Sequence, residues 1–354
     1  MTIYWLLFGY AAIMALAYPV DTARHPAGMG RSLALIAFVL FYVLIGALRH
    51  ETGGDWETYQ EMFADMESEP LSYAMSVTDP LFGTLNWISA QFGLGIYLVN
   101  GICCLILGTG TVLAATRMRE PWLAILIAVP YLLIVVGMGY IRQGAAIGLM
   151  LMALAQLDRS RPAVTIVYLL LATGFHSSAA LIFPLFAWSL VSKNKVMAVV
   201  LMIVGSLAFM TVLVPRIDSF EAGYLDAEYD SGGAAARILM SVVPSVLVLA
   251  RWRNFSASKR VRAVWMTIAV ANFVALAALV LSPSSTAVDR IALFFSVIQL
   301  AAFGEIRSLA GISDRMVLLT RFALIGTAAA VQSVWLVFGT HAYLWVPYQS
   351  VLFL

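Results

Sequence analysis

Apolar residues in this chain follow neither a helical stripe nor a strand alternation. They run on unbroken for most of a bilayer's thickness, stop at a few charged positions and start again. A helix needs roughly 20 such residues to cross the hydrocarbon core. Runs of about that length occupy 3–19, 32–48, 95–116, 121–138, 141–157, 196–214, 236–250, 261–281, 288–304 and 320–338. The pattern predicts an all-α fold, a polytopic transmembrane helix bundle of about 10–12 membrane helices forming one membrane domain over 1–354. Residues 3–19 lack a basic n-region before them and a convincing cleavage site, so they are expected to be a retained first span. Segment 80–92 is too short to span and is expected as a short helix along the interface, anchored by Trp87 and Tyr97. The tail around Trp345, Pro347 and Tyr348 has aromatic-belt character.

The stretch 162–191 is interrupted by Gly174, Phe175, His176, Ser177, Ser178 and Pro184, and reads either as one broken helix or as a hairpin of two short ones. Charge decides between them. Basic clusters lie at Arg24/Arg31, Arg117/Arg119, Arg159/Arg161, Lys193/Lys195, Arg251–Arg262 and Arg307/Arg315/Arg321. Two loops, 49–80 and 215–235, are acidic instead. A hairpin puts every basic cluster on the cytoplasmic side and both acidic loops outside, as the positive-inside rule requires; a single span inverts the second half. The hairpin reading places both termini, loops 49–80 and 215–235, and His176 on the outer side.

Composition agrees. The chain is 62% hydrophobic and 11% charged, against roughly a quarter charged in soluble domains. Cys103 and Cys104 are adjacent inside an apolar run and read as packing residues. The sequence has no Walker A motif, dinucleotide loop or metal-ligand spacing, so no metal, cofactor or nucleic-acid partner is expected, and nucleotide-driven or redox chemistry is disfavoured.

The informative residues are then the outer-side cations that break the charge rule: Arg49, Arg142, Arg216, Arg237 and Arg290. Arginine near lipid is costly and usually has a partner. A cluster of planar guanidinium forks suits a diphosphate, though single arginines also snorkel or pair with acids. Arg49, Arg142 and Arg290 sit at the ends of spans and are the stronger candidates; Arg216 and Arg237 flank an acidic loop that can pair with them. His176, at a helix break, is a candidate proton acceptor. Asp55 follows the turn-forming pair Gly53-Gly54, and Asp55 with Trp56 and Tyr59 suits sugar hydroxyls and ring faces; a solvated acidic loop is the plainer alternative.

Arg49 with Gly53-Gly54-Asp55 and Tyr59 resembles the opening signature of the EpsG family of Wzy-like polysaccharide polymerases. Tyr140-Ile141-Arg142-Gln143 resembles its arginine–glutamine motif, Phe175-His176-Ser177-Ser178-Ala179 its histidine motif, and Asp289-Arg290 its late arginine. The matches run in order over roughly residues 45–300. The resemblance implies a GT-C-like bundle in the bacterial inner membrane that extends a glycan on undecaprenyl diphosphate-linked oligosaccharides. It implies membrane lipids and other polysaccharide export proteins as partners, His176 and Asp55 as catalytic candidates, and Gln143 as a further sugar contact beside Trp56 and Tyr59. A flippase for the same lipids, or an O-antigen ligase or acyltransferase, shares parts of this pattern. A flippase should carry charge through the membrane midplane, and the span interiors here are almost free of it.

Overall fold

The computed structural model describes residues 1–18, 29–159, 161–191, 195–214, 233–282 and 285–353. Of the acidic loop expected at 215–235, all but 233–235 lies outside the described residues, as do Arg24, Lys193 and Arg216. The fold is all-helical. Seven helices among the described residues are long and apolar enough to cross a membrane: Met29–Ala47, Gly95–Ala115, Pro121–Gly139, Lys195–Val212, Lys259–Leu281, Ser285–Gly304 and Asp314–Phe338. Five shorter apolar helices join them: Thr2–Ala17, Ile141–Leu157, Pro162–Phe175, Ser177–Ser189 and Ala234–Ala250. The predicted apolar runs thus became helices, including the interrupted stretch.

That stretch reverses direction at His176. Thr173 and Gly174 face Thr211 and Val212 near the end of the helix that starts at Lys195, while Phe183 packs on Gly205 of the same helix. The segment therefore rises to the break and descends again, which is the hairpin that charge demanded.

Helix Pro121–Gly139 is the centre of the bundle and is enclosed along its whole length. Pro130 lacks a donor N–H, and Val129–Val136 relaxes into π-helical turns. Two carbonyls of those turns are taken up by side chains from distant elements. The Tyr42 hydroxyl donates to Leu133 O at 3.0 Å and the Trp345 indole Nε1 to Ile134 O at 3.2 Å. Helices Gly95–Ala115 and Ile141–Asp158 approach through Gly110 and Gly148, where an added Cβ on either would strike the partner's backbone. Small residues allow this close packing where lipid removes the hydrophobic drive.

Charged contacts gather at the two ends of the bundle. At one end Arg321 pairs with Glu120 at 2.7 Å, Arg307 lies 3.7 Å from Glu120, and Glu305 accepts from the Arg119 amide at 3.1 Å. All of these fall on the side that charge assigned to the basic loops. The other end holds Arg49, Asp55, Asp79, Arg142, His176, Arg237 and Arg290.

The tail departs from expectation. Trp345 is 1% exposed and does not lie in an interfacial belt. Residues Gln349–Ser350 pair antiparallel with Arg49–His50, the Gly53 amide donates to Leu344 O at 2.7 Å, and the Tyr4 hydroxyl donates to Trp345 O at 2.9 Å. The segment around Trp345 is thereby inserted into the bundle as a plug. An aromatic cluster in sequence is equally compatible with a belt and with a buried plug, and here π-turn carbonyls and backbone donors favoured burial. Segment Pro80–Gln91 does form a short helix. Its Phe82, Asn86 and Ser89 face is buried, and Trp87 Nε1 donates to Glu69 O at 3.1 Å.

Candidate functional site

Gly53 has φ +114°, a conformation glycine adopts freely, and an added Cβ there would meet both the Arg49 guanidinium and Met138 O. The turn is therefore specified twice, by backbone angle and by space. It lets Arg49 fold back over its own loop. Arg49 is 0% exposed, donates to Thr52 O, donates to Asn100 Oδ1 at 2.9 Å, and lies 5.2 Å over the Trp56 ring. Asp55 occupies the N-cap position of helix Trp56–Glu67, yet its side chain caps no amide. Its carboxylate instead lies 4.0 Å from Arg290 Nη2 and accepts from the Tyr59 hydroxyl at 3.4 Å. A good capping residue diverted from capping is the kind of local conflict that marks a functional position.

Arg142 lies in the first turn of helix Ile141–Asp158, where the helix dipole disfavours a cation. Asp79 offsets this: its Oδ2 lies 3.2 Å from Arg142 Nη1, which also donates to the Thr78 hydroxyl at 3.0 Å. The other oxygen of Asp79 accepts from the Ser177 amide at 2.8 Å. One carboxylate thus fixes both the arginine and the helix break beside His176. His176 Nδ1 is bonded to Ser178 Oγ at 3.2 Å, and its ring meets Phe294 edge-on at 6.1 Å. Among the described residues its Nε2 has no hydrogen-bond partner.

Arg290 stacks on Tyr140 with 3.9 Å from guanidinium to ring centroid, and Gln143 Nε2 donates to Arg290 O at 2.5 Å. The helix that carries Arg290 also carries Asp289, which takes Arg237 in two parallel bonds of 3.0 and 2.6 Å.

Burial pushes the Asp55 carboxyl above the usual carboxylate range, with Arg290 and Arg142 opposing. Burial also lowers the His176 imidazole to about 4; Asp79 opposes this, and Arg142 and Arg290 reinforce it. His176 is therefore neutral across the physiological range and has a lone pair to offer.

The structure thus brings Arg142, Arg290, Asp55 and His176 to one place. It does not bring the side chains of Arg49, Trp56, Tyr59 and Gln143 to the site surface. Trp56, Tyr59 and Gln143 are 6%, 2% and 1% exposed. The Trp56 face expected for a sugar is covered by Arg49, Tyr59 packs on Phe82 under Arg142, and Gln143 is spent on a backbone carbonyl. Asp79 and Asp289 escaped the sequence reading as partners, one being an unremarkable member of an acidic loop and the other only part of a motif. The helix-opening run Thr78-Asp79-Pro80 was the available signal for Asp79.

In two of the three pairs the arginine faces outward and the carboxylate sits behind it. Side-chain exposure is 26% against 4% for Arg142–Asp79 and 27% against 11% for Arg237–Asp289. The site thus presents guanidinium forks held in place from beneath.

Trp345 supports this floor, because an added Cβ on Gly139 would strike its ring and one on Gly54 would crowd it. Replacing Trp345 by Ala should cost about 3–5 kcal/mol, the range for a large buried aromatic. Trp345→Phe should recover most of the packing but not the bond to Ile134. A lowered Tm in detergent that tracks this order supports the plug. An unchanged Tm for Trp345→Ala removes it.

No curated protein and no solved structure gives a significant match to the chain. The EpsG family model matches residues 32–350, a span that contains every arginine, carboxylate and histidine of this cluster. The chain accordingly belongs to the EpsG family of Wzy-like polymerases.

Proposed function

We propose that this protein polymerises oligosaccharide repeat units carried on undecaprenyl diphosphate, at the periplasmic face of the bacterial inner membrane. Family membership itself points to an exopolysaccharide polymerase of glycosyltransferase type. The observation that carries the finer reading is the cluster of outward guanidiniums backed by buried carboxylates and set beside a neutral histidine. Arg142 and Arg290 bind the donor's diphosphate, and Arg49 acts from below by holding the Gly53–Asp55 turn. Trp56, Tyr59 and Gln143 position the arginines, and Asp55 meets acceptor hydroxyls.

The chemistry is a displacement. An acceptor hydroxyl oxygen attacks the anomeric carbon of the donor glycan, and its proton goes to His176 Nε2. The bond from that carbon to the phosphate oxygen breaks, and its electron pair leaves with the lipid diphosphate. Preorganised guanidiniums stabilise the departing charge. Burial holds His176 low and the arginines add to it; a diphosphate on the arginines offsets their part, and so raises its basicity when substrate is present. Salt bridges among the described residues sit at the two ends of the bundle, which favours chemistry at one face over passage through the membrane.

Purified protein in proteoliposomes, given lipid-linked repeat units, should yield long glycan and free undecaprenyl diphosphate. Movement of substrate between leaflets without chain growth would instead make it a flippase. Orientation is read in intact cells: a cysteine at Glu69 should be labelled from outside, and one at Asn254 should not. The reverse pattern would overturn the periplasmic assignment.

A further inference from the structure

Below the arginines a crevice of about 190 Å³ opens sideways out of the bundle, lined by Ile127, Pro130, Tyr131, Met240, Pro244 and Thr327 among others. Its origin is legible in the chain. Pro130 and Pro244 line it from two different helices, and each removes a backbone hydrogen bond and widens the local helix surface. The mouth is open toward lipid, since Val243 on its wall is 69% exposed.

The arginine site lies close by along one of its walls. On helix Ala234–Ala250, Arg237, Met240 and Pro244 follow at intervals of three and four residues, so they share one face, with the arginine one turn above the crevice. Arg237 is bonded to Asp289, next in sequence to Arg290. The remaining polar lining is sparse, and Gln299 is bonded to Ser241 at 3.4 Å. A cationic head site one helical turn from a largely apolar lateral slot matches a molecule with a diphosphate head and a long hydrocarbon tail.

We propose that this crevice holds the isoprenoid tail of the donor carrier whose diphosphate rests on the arginines. The inference depends on the polymerase reading above. The donor is the carrier concerned, because its sugar–phosphate bond breaks at the site, so its tail must begin there. The acceptor's reactive hydroxyl is separated from its own carrier by the sugars of a repeat unit.

The test compares repeat units on undecaprenyl diphosphate with the same units on farnesyl diphosphate, in mixed detergent micelles. Wild type should prefer the long carrier. Thr327→Trp and Val243→Trp fill the crevice from its lipid-exposed rim, where folding tolerates bulk. Each should cut the long-over-short preference in kcat/KM at least about tenfold, because loss of contact with only a few methylenes suffices for that. Leu207→Trp, in a separate crevice beside Gly174, should leave the preference as in wild type. A photo-crosslinker at Met240 should capture the polyprenyl chain ahead of bulk phospholipid.

Unchanged preference in both rim variants, a loss seen only in Leu207→Trp, or capture of phospholipid alone would each overturn the assignment. In all three cases wild-type chain growth would leave the polymerase reading standing. Absence of growth in wild type would instead remove that reading.

Discussion

Arg142→Lys should lower chain growth by about 10²–10³-fold while the protein still inserts and accumulates. That is the range for losing one preorganised donor to a developing oxyanion. Lysine keeps the charge but loses the planar fork. Arg142 Nη1 is held by Thr78 and Asp79, which fixes the plane of the guanidinium. An ammonium pulled toward buried Asp79 cannot hold a phosphate oxygen with the same geometry. Arg142→Ala is a poorer probe, because it strands a carboxylate that is 4% exposed, at a cost of up to about 3–5 kcal/mol. Adding Asp79→Asn should restore the yield of that variant and not its activity. Recovery of activity in the double variant would assign Arg142 to the scaffold alone.

His176→Ala should leave a folded protein that binds donor normally and elongates at least about a hundredfold more slowly, the lower part of the range for a general base. The sign of its pH dependence follows from the site. Burial holds the imidazole at about 4 in the free protein, so kcat/KM should stay flat from pH 8 down to about 5 and fall as pH approaches 4. The bound diphosphate raises the same group, so the acid limb of kcat should lie higher than that of kcat/KM. Coincident limbs near 6.5 would describe a solvent-exposed histidine and contradict the geometry. Asp55→Asn should weaken acceptor binding more than turnover. A collapse of turnover in Asp55→Asn, with wild-type rates in His176→Ala, would move the base to the carboxylate, whose pKa burial raises.

Much of the fold was legible because lipid imposes a simple code. Continuous apolar runs became helices, and the charge rule resolved the hairpin at His176 before any contact was known. The convergence of Arg142, Arg290, Asp55 and His176 was legible as a shared level in the membrane. Their partners were not. Asp79 reaches Ser177, 98 residues away, and Trp345 reaches Ile134, 211 residues away. Periodicity and hydropathy report which face a residue occupies and how deep it lies, but not which distant group it meets. The same gap explains Arg49, Trp56, Tyr59 and Gln143. Their chemistry was read correctly as cationic, aromatic and amide, yet burial by the C-terminal plug and by neighbouring rings turns that chemistry inward.

The central claim is that Arg142 and Arg290 together hold the diphosphate of a lipid-linked donor during polymerisation. It is tested most directly by reconstituting wild type and an Arg142→Lys/Arg290→Ala variant at equal, correctly folded amounts, and measuring glycan length from purified lipid-linked repeat units. Long chains from wild type and unextended repeat units from the variant are predicted. Chains of equal length from both would contradict the claim.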